Sequence, residues 1–456
     1  MDINLRHIVT PAWPVSGPPP ELPDAEYAAR ADALYRTAGA DWVLVYGDRE
    51  HAANLVFVCG LDPRFEEAVL VLGPGSTRAL LLGNEDMGYT SAARLPVQAV
   101  LCQSLSLMGQ PRTPETRLDA VLGRLGIGPG AKVGVVGWKY LEEDEDEDAL
   151  APAFVPAFLS RVLARLTGPT GRVIDATAAL MHPSNGLKSR NGASQIAAFE
   201  WSAVRASDAV QRVVRGARPG MREYDAAAAF FQHGGQPYSC HPMLTSAGTD
   251  EPVIGLRSPG ARVLGNGDGM STAVGYWGSL CARAGLLRAE PDPAFVEQVV
   301  KPYYRAIATW YQNLAIGVTG GEIHHRVMKA LAGATWQPAL NPGHLVSIDE
   351  WTHTPIRPGS ADGIGSGMAL QCDIIPAPMP NGWALNCEDT VAIADAGLRA
   401  DIAAAHPDLW RRIQDRRQFM RDALGLVLSE DVLPLSNAPA CLAPFWLDAD
   451  LICAVA

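Results

Sequence analysis

The chain has 456 residues, with 48% hydrophobic and 19% charged side chains and a formal net charge of −12, from 37 Lys and Arg against 49 Asp and Glu. Such a length exceeds one ordinary core and predicts two or three domains, and the composition is that of a globular chain rather than a disordered one. An acidic balance without a Lys/Arg block argues against nucleic acid or an anionic membrane as partner, and no apolar run is long enough to span a bilayer.

In chain order, the Pro-rich stretch up to Pro23 has no apolar signal-peptide core and is expected to form an arm on the surface or on a partner subunit. Ala25 to Ala38 has helical periodicity. Short apolar runs follow at 42–46, Asn54 to Cys59, Ala68 to Leu72 and Arg78 to Leu82, separated by Gly, Pro, Asp and Asn, and each is expected to be a strand. A further strand is expected over Lys132 to Gly137, and this alternation predicts an α/β domain. The acidic run Glu142 to Asp148 lacks the turn glycine and spaced ligands of a cation loop and is expected to be a solvated surface segment. A long helix is expected from Ser194 to Arg215, stopped by Arg218-Pro219-Gly220, then an alanine-rich helical pattern from Tyr224. Strands with glycine turns are expected from Gly234 to Ile393, interrupted by a helix over Asp292 to Leu314, with a helical tail over Leu398 to Phe419. The eight cysteines form no CxxC pair; they are expected to be reduced thiols of a cytoplasmic protein, with Cys240 and Cys281 buried and inert rather than nucleophilic.

From residue 185 onward a series of short motifs occurs in a telling order. They are Asn185-Gly186-Leu187-Lys188-Ser189 before the long helix, Arg218-Pro219-Gly220-Met221-Arg222-Glu223, Gly267-Asp268, Asn341-Pro342-Gly343-His344, Ser366-Gly367-Met368 with Gln371-Cys372-Asp373, and Cys387-Glu388-Asp389-Thr390-Val391. In this order the chain resembles the aminopeptidase P/creatinase family. That resemblance implies a creatinase-like α/β N-terminal domain (residues 1–183) and an α+β pita-bread catalytic-fold domain (residues 184–456). Asn54 to Gly60 resembles a strand of that family's N-terminal domain.

Family peptidases hold two metal ions with two Asp, one His and two Glu. The resemblance puts Ser271 and Ala282 at the two Asp positions, His344 at the His position, Asp373 in place of the first Glu, and Glu388 at the second. Hard divalent ions need several carboxylate oxygens, so no metal and no other cofactor is expected. Creatinase is a metal-free member that cleaves a C–N bond of a guanidino compound, and this chain resembles it in logic. The resemblance puts Asp373 at one of creatinase's cation-holding carboxylates, but the second falls near Ala284 and the shuttle histidine near Leu256, so the chain departs from creatinase there. In their place His344, helped by Asp349 or Glu350, is expected to carry the proton, with Asp373 and Glu388 holding a cationic group.

The residues themselves point the same way. Asp373, within an apolar run, reads as a buried carboxylate that needs a partner, and Glu388 reads alike. Asp349-Glu350-Trp351-Thr352-His353 offers a general base and an aromatic wall, or else is an exposed loop. His241 either replaces an absent family histidine or caps a turn. Arg64 and Phe65, on a loop, match creatinase residues that reach the other subunit's pocket and hold a substrate carboxylate; the alternative is a surface arginine. Arg257 is a second candidate for an anion. The expected protein is a homodimeric cytoplasmic hydrolase of a small polar substrate bearing a cationic end and a carboxylate. A metal-dependent Xaa-Pro peptidase with atypical ligands, a non-catalytic binding protein and a lyase on the same scaffold stay open.

Overall fold

The computed structural model describes residues 1–233 and 237–456. The chain forms two compact units, one of residues 22–189 and the other of residues 1–21 together with 190–456. The strands, in chain order, are β1 (Ile3–His7), β2 (Trp42–Gly47), β3 (Ala68–Gly73), β4 (Thr77–Leu82), β5 (Gln98–Leu101), β6 (Lys132–Val136), β7 (Arg172–Asp175), β8 (Tyr238–Ala247), β9 (Gly269–Tyr276), β10 (Ser279–Leu286), β11 (Gln337–Pro338), β12 (His344–Leu345), β13 (Ala369–Cys372), β14 (Pro376–Ala377), β15 (Asn386–Ile393), β16 (Val432–Pro434) and β17 (Leu451–Val455).

In the smaller unit six strands form a mixed sheet in the order β5-β4-β3-β2-β6-β7, parallel where β2 meets β6 and antiparallel where it meets β3. β2 reads Trp-Val-Leu-Val-Tyr-Gly and every residue of it is buried, because helices lie on both of its faces. Leu44 and Tyr46 pack with Val121 and Leu122 of the Leu118–Leu125 helix and with Leu159 and Val162 of the Ala157–Thr167 helix. The run Asn54 to Cys59 is a helix (Ala53–Cys59), not a strand. A short, wholly buried apolar run has no periodicity to separate the two. The helix ends at Gly60, whose φ of +80° and close approach to Arg94 favour glycine. The Glu142 to Asp148 run lies in turns and loop with its acidic side chains mostly exposed.

The larger unit is built on an all-antiparallel sheet ordered β12-β13-β15-β10-β9-β8, with β16 added at the end of β15. The 24-residue helix Ala193–Gly216 covers one face. Period-two alternation divides the β9–β10 hairpin: Met270, Val274, Tyr276 and Cys281 pack with the helix residues Val210, Val213 and Val214, while Ser271, Ala273, Leu280 and Ala282 look the other way into a cavity. The helix is pinned through buried Glu200, which accepts a bidentate pair of hydrogen bonds from Arg412, both 2.8 Å, and a third of 2.8 Å from fully buried Arg416. The expected helix over Asp292 to Leu314 runs from Pro293 to Asn313 through one π-helical turn and is capped by the Asp292 carboxylate. Tyr303, Tyr304, Trp310 and Tyr311 from it fill the core.

The Pro-rich start departs from expectation, since Ile3–His7 pairs with Leu451–Val455 and so stitches the first residues to the last within this unit. The tail is two helices, Ala396–Ala405 and Pro407–Asp422, separated at His406 because Pro407 cannot extend the preceding helix. The first residues of the strand region expected from Gly234 lie outside the described residues. Glu223, in the Arg218 to Glu223 motif, is structural. Its carboxylate accepts from Ser246 N and Oγ and from Gly260 N, tying β8 to the loop after it.

Candidate active site

Sheet register assembles the site. His344 of β12 lies opposite Gln371 of β13, β13 pairs with β15, and Glu388 of β15 lies opposite Ala282 of β10. Asp373, directly after β13, shares with Gln371 and Glu388 the cavity side of the sheet by strand alternation. Three residues far apart in sequence thus converge: ligand-type atoms of His344, Asp373 and Glu388 all lie within 4.8 Å of one another. The backbone before His344 can approach its neighbours only because residue 343 is glycine. Its φ is +115°, and a Cβ there would meet the Gln371 carbonyl at 2.6 Å and the Trp310 indole at 2.9 Å.

His344 Nε2 stands 3.2 Å from Glu350 Oε1 and 3.7 Å from Glu388 Oε1, and Trp351 stacks on its ring with centroids 4.1 Å apart. Three buried atoms here have no aligned hydrogen-bond partner: His344 Nε2, Asp373 Oδ1 and Glu388 Oε1. Burial alone would depress the His344 pKa, but the neighbouring Glu350 and Glu388 carry it up to about 10. Burial raises Asp373 to about 6 against the pull of His344, and it pushes Glu388 well above the usual carboxylate range, with Asp373 adding to the effect. The cluster is three carboxyl groups around one imidazole, an acidic floor that favours a further positive charge.

The floor opens into a cavity of about 550 Å³. Glu350, Trp351, Asp373 and Glu388 line it, together with Cys240, Thr245, Ser271 and Asn386; the remaining walls are apolar. The two expected aspartate positions, Ser271 and Ala282, face this cavity. Of the five donors that the resemblance implies for a metal pair, His344, Asp373 and Glu388 are present and could hold an ion, whereas Ala282, opposite Glu388, offers no ligand atom. Behind the floor, on the opposite face of β10 and β15, buried Arg283 and Asp389 form a 2.7 Å ion pair. Asp389 also accepts from Ser436 and Ala440 N, and Arg283 donates to four backbone carbonyls including that of Glu388. That cation is fully engaged and offers nothing to a ligand.

The remaining predicted residues are placed as follows. Asp349 accepts from Thr352 Oγ1 at 3.0 Å and does not line the cavity. His353 sits in a backbone bridge with Leu345, its Nδ1 turned toward Thr354, away from the cavity. His241 is exposed, its Nε2 3.3 Å from the carbonyl of Leu256. Leu256, 78% exposed, lines the cavity, and the neighbouring Arg257 is exposed without lining it. Arg64 and Phe65 belong to the smaller unit, where Phe65 is exposed and Arg64 pairs with Asp62 at 3.4 Å. Cys240 was expected to be buried. It is instead half-buried at the cavity wall, and burial beside Glu350 and Glu388 raises its thiol to about 11, which keeps it protonated.

Solved structures share this architecture. A prolidase from Thermococcus sibiricus superposes with a TM-score of 0.64 at 13% identity, covering 91% of this chain and 97% of its own. Dipeptidase PepE from Mycobacterium ulcerans gives 0.60 at 19% identity, covering 82% and 95%. A putative aminopeptidase P from Bacillus anthracis gives 0.60 at 12%, covering 94% and 98%. No curated protein matches the sequence itself. The likenesses define a two-domain protein of the pita-bread class, with an α/β unit and an α+β unit as expected. Residues 198–395 of the chain match the model of Metallopeptidase family M24. No helix among the described residues is long and apolar enough to cross a membrane.

Proposed function

We propose that the chain is a C–N hydrolase that works without a metal pair, by a creatinase-like division of labour among its own side chains. Asp373 and Glu388 hold a cationic group of the substrate on the cavity floor. Glu350 takes a proton from water, and the water oxygen bonds to the carbon under attack. The C–N bond breaks as Glu350, which lines the cavity, passes that proton on to the leaving nitrogen; the buried His344, its Nε2 3.2 Å from Glu350, shares the proton with the carboxylate between the two steps. The observation that carries this reading is the 3.2 Å approach of His344 Nε2 to Glu350 Oε1 beside a cavity lined by Ser271 and Ala282, the residues that the resemblance puts at the two Asp positions.

The test is release of amine from small amino and amidino compounds and from Gly-Pro and Ala-Pro, with and without a chelator. Release should be indifferent to chelator and fall about 10²–10⁴-fold in His344→Asn. An unchanged rate in that variant contradicts the reading. The convergence of three ligand-type side chains, His344, Asp373 and Glu388, favours a second reading, a metal-dependent Xaa-Pro dipeptidase of the kind the solved relatives' names describe. Activity abolished by chelator and returned by a divalent ion would establish it instead.

A further inference from the structure

The cavity's walls and floor differ in kind. Its charged lining residues, Glu350, Asp373 and Glu388, are all acidic, and no Lys, Arg or His is among the described residues lining it. Above them the surface is aliphatic and aromatic, with Met243, Leu280, Ile254, Leu256, Met379 and Trp383 as its larger members. A carboxylate carried into this space would lose water and face three carboxyl groups, the one nearby cation, His344, being buried behind them and already engaged by Glu350 and Glu388. An alkyl or aryl group would gain at each methylene it buries.

We propose that the substrate class is an apolar-bodied cation, an ammonium or amidinium head on a hydrocarbon chain or ring, and that a carboxylate is no part of what the cavity recognises. The proposal rests on the reading of this cavity as the active site and sharpens its substrate. It departs from the carboxylate-bearing compound that the family resemblance implies. The head sits against Asp373 and Glu388, and the body runs between Met243 and Leu280 toward Leu256 at the mouth. Cys240, the one cysteine of the chain that is not buried, is covered when the body is in place.

Binding can be read without turnover by titrating the full chain calorimetrically with straight-chain alkylammonium ions from ethyl to octyl, beside the matching alkyl carboxylates and ω-amino acids. Each added methylene should tighten ammonium binding about three- to fourfold until the chain reaches solvent. The carboxylates should not bind, and a terminal carboxylate on the ammonium series should weaken it. Occupancy should also slow alkylation of Cys240. Asp373→Asn should abolish the preference for the charged head, and Leu256→Asn, at an exposed position, should flatten the length dependence only for the longest chains. Equal or better binding of the ω-amino acids, or no dependence on chain length, overturns the proposal even if a C–N bond is cleaved. Ammonium selectivity with length dependence but without hydrolysis of any amine tested upholds this substrate class and sinks the hydrolase instead.

Discussion

Glu350 touches both the open cavity and the buried His344 Nε2, and so can move a proton between water and an imidazole that solvent does not reach. Only this pairing turned the polar segment 349–353 from a list of candidates into an assignment. Sequence could name Asp349, Glu350 and His353 as neighbours, but which of them faces inward depends on the bridge between Leu345 and His353. Asp373 and Glu388 were legible because a charge set in an apolar run needs a partner, and His344 only through its place in the motif order that the family resemblance rests on. Met243, Leu280 and Trp383 were not, because an apolar side chain facing a cavity reads like one facing the core.

Burial also alters a residue outside the site. Asp86, in the smaller unit, has a buried Oδ2 without a partner beside Glu66, which accepts from the backbone N–H groups of Glu85 and Asp86. Burial first, then Glu66, Glu85 and Asp62, raise its pKa from 3.8 to about 7. The folded state therefore holds a proton that the unfolded chain releases, and stability falls as pH rises from about 4 through about 7. Asp86→Asn should raise the melting temperature at about pH 8 and leave it unchanged near pH 4, as thermal unfolding at the two pH values would record. A variant less stable than the parent at pH 8 would refute the assignment.

At the scale of elements, the β9–β10 hairpin decides what the site can hold. Its spacing was readable in the sequence, since counting from the turn after Tyr276 places Ser271 and Ala282 together, and alternation aims both at the cavity. The helix Ala53–Cys59 was not readable, because its seven residues are buried all round and their period is lost. If the hairpin is intact and only its ligands are missing, the double variant Ser271→Asp and Ala282→Asp completes five donors on one face. Calorimetric titration with manganese should then show tight binding that the parent chain lacks. Failure of the folded double variant to bind would mean that these two positions do not stand where the aspartates of a metal pair would.

At the scale of the whole molecule, composition and motif order set out an α/β unit and an α+β unit, and the structure agrees on both. It moves the boundary to 189/190 and returns residues 1–21 to the larger unit. That return could not be read from sequence, since β1 gains its meaning only from β17, more than 400 residues later, and the Pro-rich segment after it resembles any linker. The larger unit holds the buried Arg283–Asp389 and Glu200–Arg416 pairs, which are costly to break. Against the five-ligand set that the resemblance implies, the proposed differences are Ser271 and Ala282 on the hairpin and Asp373 after β13. The most direct measurement is therefore the metal content of the purified chain by mass spectrometry, after growth with manganese, zinc and iron. The account predicts well under one ion per chain, and one or two tightly held ions per chain would contradict it.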